Sequence, residues 1–449
     1  MTTKERLYIY DTTLRDGQQT QGVTFSLDDK LRISQLLADI GIDYIEGGWP
    51  GANPIDSEFF DRKKEFAKSK LVAFGMTKRF GRSVENDETL AQVVSAGTSV
   101  VCLVGKSHDF HVQKALGISL DQNIELITSS IKHLKSLGKE VHFDAEHFFD
   151  GFAANKKYAI SIVKEAMAAG ADWVVLCDTN GGCMPDQVRE TIESLIEEGI
   201  DASRLGIHAH NDTENAVANS LAAVQAGVRQ IQGTLNGLGE RCGNANLISL
   251  LPTLLLKPQF AEKFVTGVTS DSLKEITRAS RIMDDVLNRV PNRFAPYVGS
   301  SAFAHKAGLH ANAILKDTET YEHIDPELVG NERIIPVSNQ AGLSNLREKL
   351  QQAGIKADDD TGKLSMLLKE IKDKESEGYS FDSANASFEI FARRMLGQMP
   401  NFFEVKRYRV TTERRKDTIG NTKTLSEAVV VLKIGDKETL SVSESMDEE

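Results

Sequence analysis

Cysteine is scarce in this chain of 449 residues, which has only Cys102, Cys177, Cys183 and Cys242. Four scattered thiols cannot build a disulfide framework, and no two are spaced as a zinc-type pair. A closed thiolate zinc centre is thereby disfavoured, and a reducing, cytoplasmic location is expected. Excess positive charge is also missing. With 53 Lys and Arg against 65 Asp and Glu the formal charge is -12, which argues against nucleic acid or an anionic membrane as the main partner. A local basic pocket for a phosphorylated cofactor stays compatible with that balance. No apolar run is long enough to span a bilayer, and the N-terminus lacks a signal-peptide core. Nor is there a low-complexity repeat. The length allows one large domain and at least one smaller one.

What is present is a rhythm. Strand-like runs recur at 7–10, 44–46, 71–74, 100–104, 141–143, 173–176, 205–207 and 229–231. Helical patterns fill the gaps. Ser26 with Asp29 reads as an N-terminal capping box, Leu36, Leu37 and Ile40 carry an apolar stripe, and Gly41 reads as the C-terminal cap. Further helices are expected at 124–137, 158–169, 188–196 and 216–226. Eight strand and helix units of roughly thirty residues each predict an α/β fold, a closed (β/α)8 TIM barrel, over an open sheet. After about Leu256 the rhythm changes. Helices are expected at 272–290 and 345–353, and Asp358-Asp359-Asp360 reads as a solvated connection between helices. From Phe388 onward strands should dominate, at 405–411 and 428–434, joined by a charged, Gly-containing loop, and the polar tail from Ser443 is expected to fray.

In a parallel barrel the chemistry sits where each strand ends. The first strand is followed by Asp11-Thr-Thr-Leu-Arg15-Asp16-Gly17, the seventh by His208-Ala-His210, and the eighth by Gly239-Glu240-Arg241-Cys242-Gly243-Asn244. Side chains two apart on a strand share a face, so both imidazoles can meet one ion with Asp16. One carboxylate and two imidazoles suit a divalent cation, Mn²⁺, Mg²⁺, Co²⁺ or Zn²⁺, that keeps positions open for substrate. An isolated His-x-His more often satisfies structural contacts; strand-end placement and the partner motif reverse that preference. Arg15 is placed to bind a carboxylate or a developing alkoxide. Glu146, nearest the end of the fifth strand, is a candidate base or orienting group, with His142 and Asp144 as a polar layer below it. Thr179 follows the sixth strand and can donate to a substrate carboxylate or act as a structural cap.

These blocks, with Phe303-Ala-His-Lys-Ala-Gly-Leu-His310, resemble the DRE-TIM metallolyases, and within them the 2-isopropylmalate, homocitrate and citramalate synthases. The resemblance covers most of the chain. Glu46-Gly-Gly-Trp-Pro-Gly-Ala-Asn-Pro54 and Thr320-Tyr-Glu-His-Ile-Asp-Pro326 look most like the citramalate branch. What it implies is metal-dependent condensation of acetyl-CoA, as co-substrate, with a 2-oxo acid, here pyruvate, by a homodimer that serves isoleucine biosynthesis. It also implies that Asp16, His208, His210 and Asn244 hold the metal, that Arg15 activates the ketone and that Thr179 contacts the substrate carboxylate. Glu146 would arrange the reacting groups, while His310 and Tyr321 would assist deprotonation of the acetyl methyl or thioester hydrolysis. Gln18 and Asn312 depart from the pattern, standing where many relatives carry Glu and some carry Asp. The implied organisation is a barrel over 1–265, helical accessory subdomains over 266–380, and a short, incomplete α+β regulatory-type domain over 381–449. Weak or absent inhibition by leucine and isoleucine is the corresponding expectation.

Overall fold

The computed structural model describes residues 4–62, 65–335, 342–356, 361–381, 384–400, 402–416 and 422–448. Two compact units emerge: residues 1–304 with 322–334, and residues 305–321 with 335–449. The first holds eight parallel strands that close in chain order: β1 (Tyr8–Asp11), β2 (Tyr44–Gly48), β3 (Lys70–Met76), β4 (Val100–Lys106), β5 (Glu140–Glu146), β6 (Trp173–Asp178), β7 (Leu205–Ala209) and β8 (Gln230–Gly233). Closure is made by β8 against β1, with Ile9 opposite Ile231 and Tyr10 opposite Gln232. The predicted TIM barrel is therefore the fold observed.

Strand alternation decides what each face carries. Outward residues such as Ile9, Ile45, Leu103, Phe143, Leu176 and Ile207 are buried in one large core with the helices. Inward residues Tyr10, Tyr44, Val72, Phe74, Val100 and Cys102 form a separate, smaller cluster. Crossovers are made by α1 (Leu27–Ile40), α2 (Pro54–Asp61), α3 (Glu88–Ser95), α4 (Leu120–Ser136), α5 (Phe148–Ala154) with α6 (Lys156–Ala168), α7 (Pro185–Glu197), α8 (Ala216–Ala226) and, after the last strand, α9 (Leu247–Leu256). The α1 caps are those the sequence predicts: Ser26 and Asp29 complete a capping box, and Gly41 ends the helix at φ 99°. A Cβ there would also stand 2.5 Å from the Gly267 carbonyl, so both backbone conformation and space require glycine.

Downstream the expectations need correction. The single helix expected over 272–290 is broken: one turn at Ser270–Leu273 is followed by α10 (Ile276–Val286). The interruption is where the chain at Gly330 lies so close that a Cβ would be 1.9 Å from the Lys274 carbonyl. Thr277 Oγ1 then donates to the Val329 carbonyl at 2.6 Å.

The second unit contains α11 (Gly308–Ile314), α12 (Leu343–Gln352), α13 (Thr361–Ser376) and α14 (Asn385–Met395). Leu346, Leu350, Leu364, Leu367, Ile371 and Phe388 make its own apolar core. Phe388 is thus a helix residue, not the start of a strand region. Strands β9 (Glu404–Lys416), β10 (Thr422–Ile434) and β11 (Lys437–Glu448) form one antiparallel sheet. Residues 443–448 of the tail expected to fray are the end of that third strand, with Ser443 opposite Ala428 and Ser445 opposite Ser426. Backbone pairing along β10 orders it although its side chains are mostly polar. Asp358-Asp359-Asp360 and the loop at 417–421 lie outside the described residues.

Candidate active site

The loop after β1 is a tight turn. Asp11 accepts from Thr13 N at 2.8 Å and from Thr13 Oγ1 at 2.7 Å, while the Thr12 carbonyl receives the N–H groups of Arg15, Asp16 and Gly17. Burial pushes the Asp11 carboxyl up to about 7, against the Thr13 hydrogen bonds that pull it down. Leu235 N donates to Thr13 Oγ1 at 2.9 Å, which ties this turn to the loop after β8. Arg15 and Asp16 are presented at the mouth as a result.

There Asp16 meets both histidines. Its Oδ2 lies 3.2 Å from His208 Nε2 and 4.0 Å from His210 Nε2, and the two Nε2 atoms are 3.4 Å apart. All three residues are buried. Burial opposes the Asp16 charge, but Arg15, the His208 hydrogen bond and both imidazoles outweigh it and hold the carboxyl well below its usual range. Burial likewise opposes the His208 charge, yet Asp16 raises its pKa, whereas burial and then the neighbouring His208 take His210 down to about 4. The centre of this cluster therefore favours one positive charge.

A cation fits that demand. Gln232 Oε1 lies 2.8 Å from His208 Nδ1, so Nδ1 keeps a proton, and Nε2, which faces Asp16, is the nitrogen whose proton a cation would displace to gain a ligand lone pair. Asn244 is drawn alongside by a bridge between its backbone and that of His210. Its Nδ2 donates to the Leu238 carbonyl at 3.1 Å, and its buried Oδ1 has no hydrogen-bond partner. An orphaned amide oxygen on a residue bridged to His210, together with the carboxylate and two imidazoles, makes up the kind of donor set that suits a hard to borderline divalent ion. Glycine is needed at 239, where φ is 155° and a Cβ would stand 2.4 Å from Asn244 Nδ2.

Arg15 is clamped from three sides. Its Nε donates to Glu46, its Nη1 lies 3.8 Å from Asp16, and its guanidinium sits 3.9 Å from the centre of the Phe74 ring. Glu46 is fully buried and also accepts from Tyr10 Oη. Burial raises the Glu46 pKa, with Arg15 opposing. Glu46, Cys102 and Asp144 form a second cluster of ligand-type atoms, but the Arg15 guanidinium already supplies its positive charge.

Sequence reasoning assigned no role to Glu46 or Gln232. The signal for Gln232 is the alternation Gln230, Gln232 on the last strand, which places two amides inside the barrel. Gln232 Nε2 donates to Asp144 at 3.1 Å, and Gln230 Nε2 lies 3.4 Å from His142 Nδ1. These contacts make His142 and Asp144 the expected interior polar layer.

The other candidates are more dispersed. Glu146 pairs with Lys106 at the rim and is partly exposed. Thr179 Oγ1 accepts from His147 N at 2.8 Å, which leaves the hydroxyl hydrogen for another acceptor. Gln18 Oε1 is buried without a partner, and Asn312 is exposed. His310 and Tyr321 both belong to the second unit, where their rings stack with centres 4.1 Å apart.

Fold and site together define a class: a (β/α)8 barrel with a cluster of one carboxylate and two imidazoles at its mouth that could hold a cation. The HMGL-like family model matches residues 6–280, and the homocitrate synthase post-HMGL domain-like model matches 297–378. An (R)-citramalate synthase of Aquifex aeolicus is 49% identical over 432 residues, 96% of this chain and 80% of the relative. One from Geobacter sulfurreducens is 47% identical over 96% of this chain and 80% of its own length. A 2-isopropylmalate synthase of Sulfolobus acidocaldarius is 33% identical over 85% of this chain and 94% of its own. Among solved structures, the HMG-CoA lyase of Bacillus subtilis superposes with a TM-score of 0.55 at 19% identity, covering 65% of this chain and 98% of that one. The chain belongs to the HMGL-like family and, within it, to the group that holds the (R)-citramalate synthases. No described helix is long and apolar enough to cross a membrane.

Proposed function

We propose that this protein is a citramalate synthase, which joins the methyl carbon of acetyl-CoA to the keto carbon of pyruvate and hydrolyses the resulting thioester with water, releasing citramalate and CoA. The observation that carries the reading is Arg15 held between Glu46 and Phe74 beside the Asp16, His208 and His210 cluster. Asp16, His208, His210 and Asn244 would hold the divalent ion, which when bound supplies Lewis-acid polarisation of a 2-oxo acid. Arg15 donates to the ketone oxygen as negative charge builds there, and its clamped guanidinium need not reorganise to do so. Thr179 donates its free hydroxyl hydrogen to the substrate carboxylate. Glu146 sits at the rim to orient the incoming thioester, and His310 with Tyr321 moves the acetyl proton or activates the hydrolytic water.

With this reading go a homodimer, small-molecule substrates as the partners, a cytoplasmic location and a place in isoleucine biosynthesis. Functionally the chain divides into a catalytic barrel over 1–265, an accessory region over 266–380 and a regulatory-type segment over 381–449. The test is competition among pyruvate, 2-oxoisovalerate and 2-oxoglutarate with acetyl-CoA, reading thiol release and product mass. Pyruvate should give the highest kcat/KM, and Asp16→Asn and His208→Ala should each abolish metal-dependent release. Retained turnover in both variants, or a clear preference for another oxo acid, refutes the assignment.

A further inference from the structure

The loop after β3, residues 77–87, carries Lys78, Arg79, Phe80, Gly81 and Arg82. Nothing in the barrel core requires that composition. Phe80 is 58% exposed, and Arg79 and Arg82 are exposed as well. Neither guanidinium is paired with a carboxylate among the described residues. The loop is nevertheless held in shape. Lys78 N donates to Ser130 Oγ at 2.9 Å, Arg79 N donates to the buried Asp87 at 2.8 Å, and Lys78 Nζ reaches the Arg82 carbonyl at 3.1 Å. Asp87 also caps α3 through Leu90 N, so the loop and the helix share one anchor. Gly81 turns the apex at φ 80°. An ordered loop is thus displaying an aromatic ring and two cations to solvent.

Beside it lies a cleft of about 320 Å³ that reaches from Phe80 and Arg79 to Trp49 and Glu146. Its lining combines the apolar Met76, Val104 and Leu116 with Lys78, Lys106 and the candidate site residue Glu146. In a chain of formal charge -12, unpaired cations on a loop that borders such a cleft favour the approach of a polyanion.

We propose that this loop and cleft form the subsite for the nucleotide end of the thioester donor: adenine on Phe80, phosphates at Arg79 and Arg82, and the pantetheine arm along the cleft toward Glu146. A flat ring accepts a base face without reading its edges, and cations beside it neutralise phosphate, which is the recurring chemistry of nucleotide platforms. The inference rests on acetyl-CoA being the donor.

Phe80→Ala and the double variant Arg79→Ala with Arg82→Ala test it, since neither removes a buried contact. Each should raise the KM for acetyl-CoA roughly tenfold or more, on the usual size of a base–aromatic stack, while kcat and the KM for pyruvate stay within about twofold. With S-acetyl-N-acetylcysteamine, a donor that has no nucleotide, the variants should match the parent enzyme. Calorimetric titration with CoA reads the same loss without turnover. An unchanged KM and CoA affinity in both variants overturns the subsite and leaves the citramalate reading intact. Equal losses with both donors overturn it too, because the nucleotide would then not be what the loop holds. Failure of the unaltered enzyme to release thiol from acetyl-CoA with any 2-oxo acid would instead defeat the function itself.

Discussion

At the scale of single residues, Gln232 links the metal-type cluster to the barrel interior, because one amide serves both His208 and Asp144. Replacing it with leucine frees the His208 ring to rotate or change tautomer while all ligand atoms remain. Metal affinity should fall about 10- to 100-fold, the usual effect of removing a partner behind a ligand, as measured by titration of the metal-free protein; an unchanged affinity would show that Gln232 does not orient His208. Arg15 poses a different problem, since Arg15→Ala leaves Glu46 buried without its cation. Losing one partner of a buried pair costs about 3–5 kcal/mol, and Glu46 then takes up a proton to stay inside. Burial already raises its pKa, and losing Arg15 raises it further. A carboxyl whose folded pKa exceeds the unfolded one stabilises most at acid pH. Urea unfolding of Arg15→Ala should therefore show stability declining as pH rises above 4.5, the ordinary Glu value, more steeply than in the parent protein. Asp16, His208 and His210 were legible because strand ends can be counted from the sequence. Glu46 and Gln232 acquire meaning only when strands 2 and 8 flank strand 1, a closure no local pattern states.

Elements carry the next set of consequences. Lys30 of α1 is fully buried and bonds both the Gly47 carbonyl and Asp56, while Asp56 accepts from Trp49 N at 2.9 Å. Helices α1 and α2 thereby fix the loop after β2 that carries Trp49. Lys30→Met should destabilise by about 3–5 kcal/mol in urea, since Asp56 is left inside unpaired, and a loss under 1 kcal/mol would contradict that view of the loop. Strand β5 begins with Glu140, which accepts from His142, Lys70 and Tyr44. Burial opposes its charge, but these bonds bring its pKa from 4.5 down to about 2. A depressed carboxyl stabilises above its unfolded pKa and loses that contribution as pH falls from 4.5 toward about 2. The loss should reach about 2 kcal/mol once its partial exposure is allowed for, and Glu140→Gln should flatten the acid limb between pH 4.5 and about 2. The barrel strands were readable because apolar runs alternate with capped helices. By contrast β11 was missed, because Ser, Thr and Glu fill most of it and only pairing with β10 makes it a strand.

For the whole molecule the decisive fact is that the proposed ligands Asp16, His208, His210 and Asn244 all lie in the first unit, while the second has an apolar core of its own. The sequence marks the change of rhythm after Leu256, yet it does not reveal that 305–321 groups with residues beyond 335 and 322–334 with the barrel. That partition rests on contacts between segments far apart in the chain. It has a thermodynamic consequence, since a ligand stabilises only the cooperative unit whose native state binds it. Divalent ion at a hundred times its dissociation constant should add about 2.7 kcal/mol to the barrel and nothing to the core of α12, α13 and α14. Calorimetric melting should then resolve two transitions, of which one moves up by several degrees between excess chelator and excess Mn²⁺ while the other stays in place. In Asp16→Asn that shift should disappear, because the site loses its only carboxylate among the proposed ligands. A single transition that moves as a whole with added ion would mean that the two units unfold together, and two transitions that both ignore the ion would remove the metal from the barrel mouth.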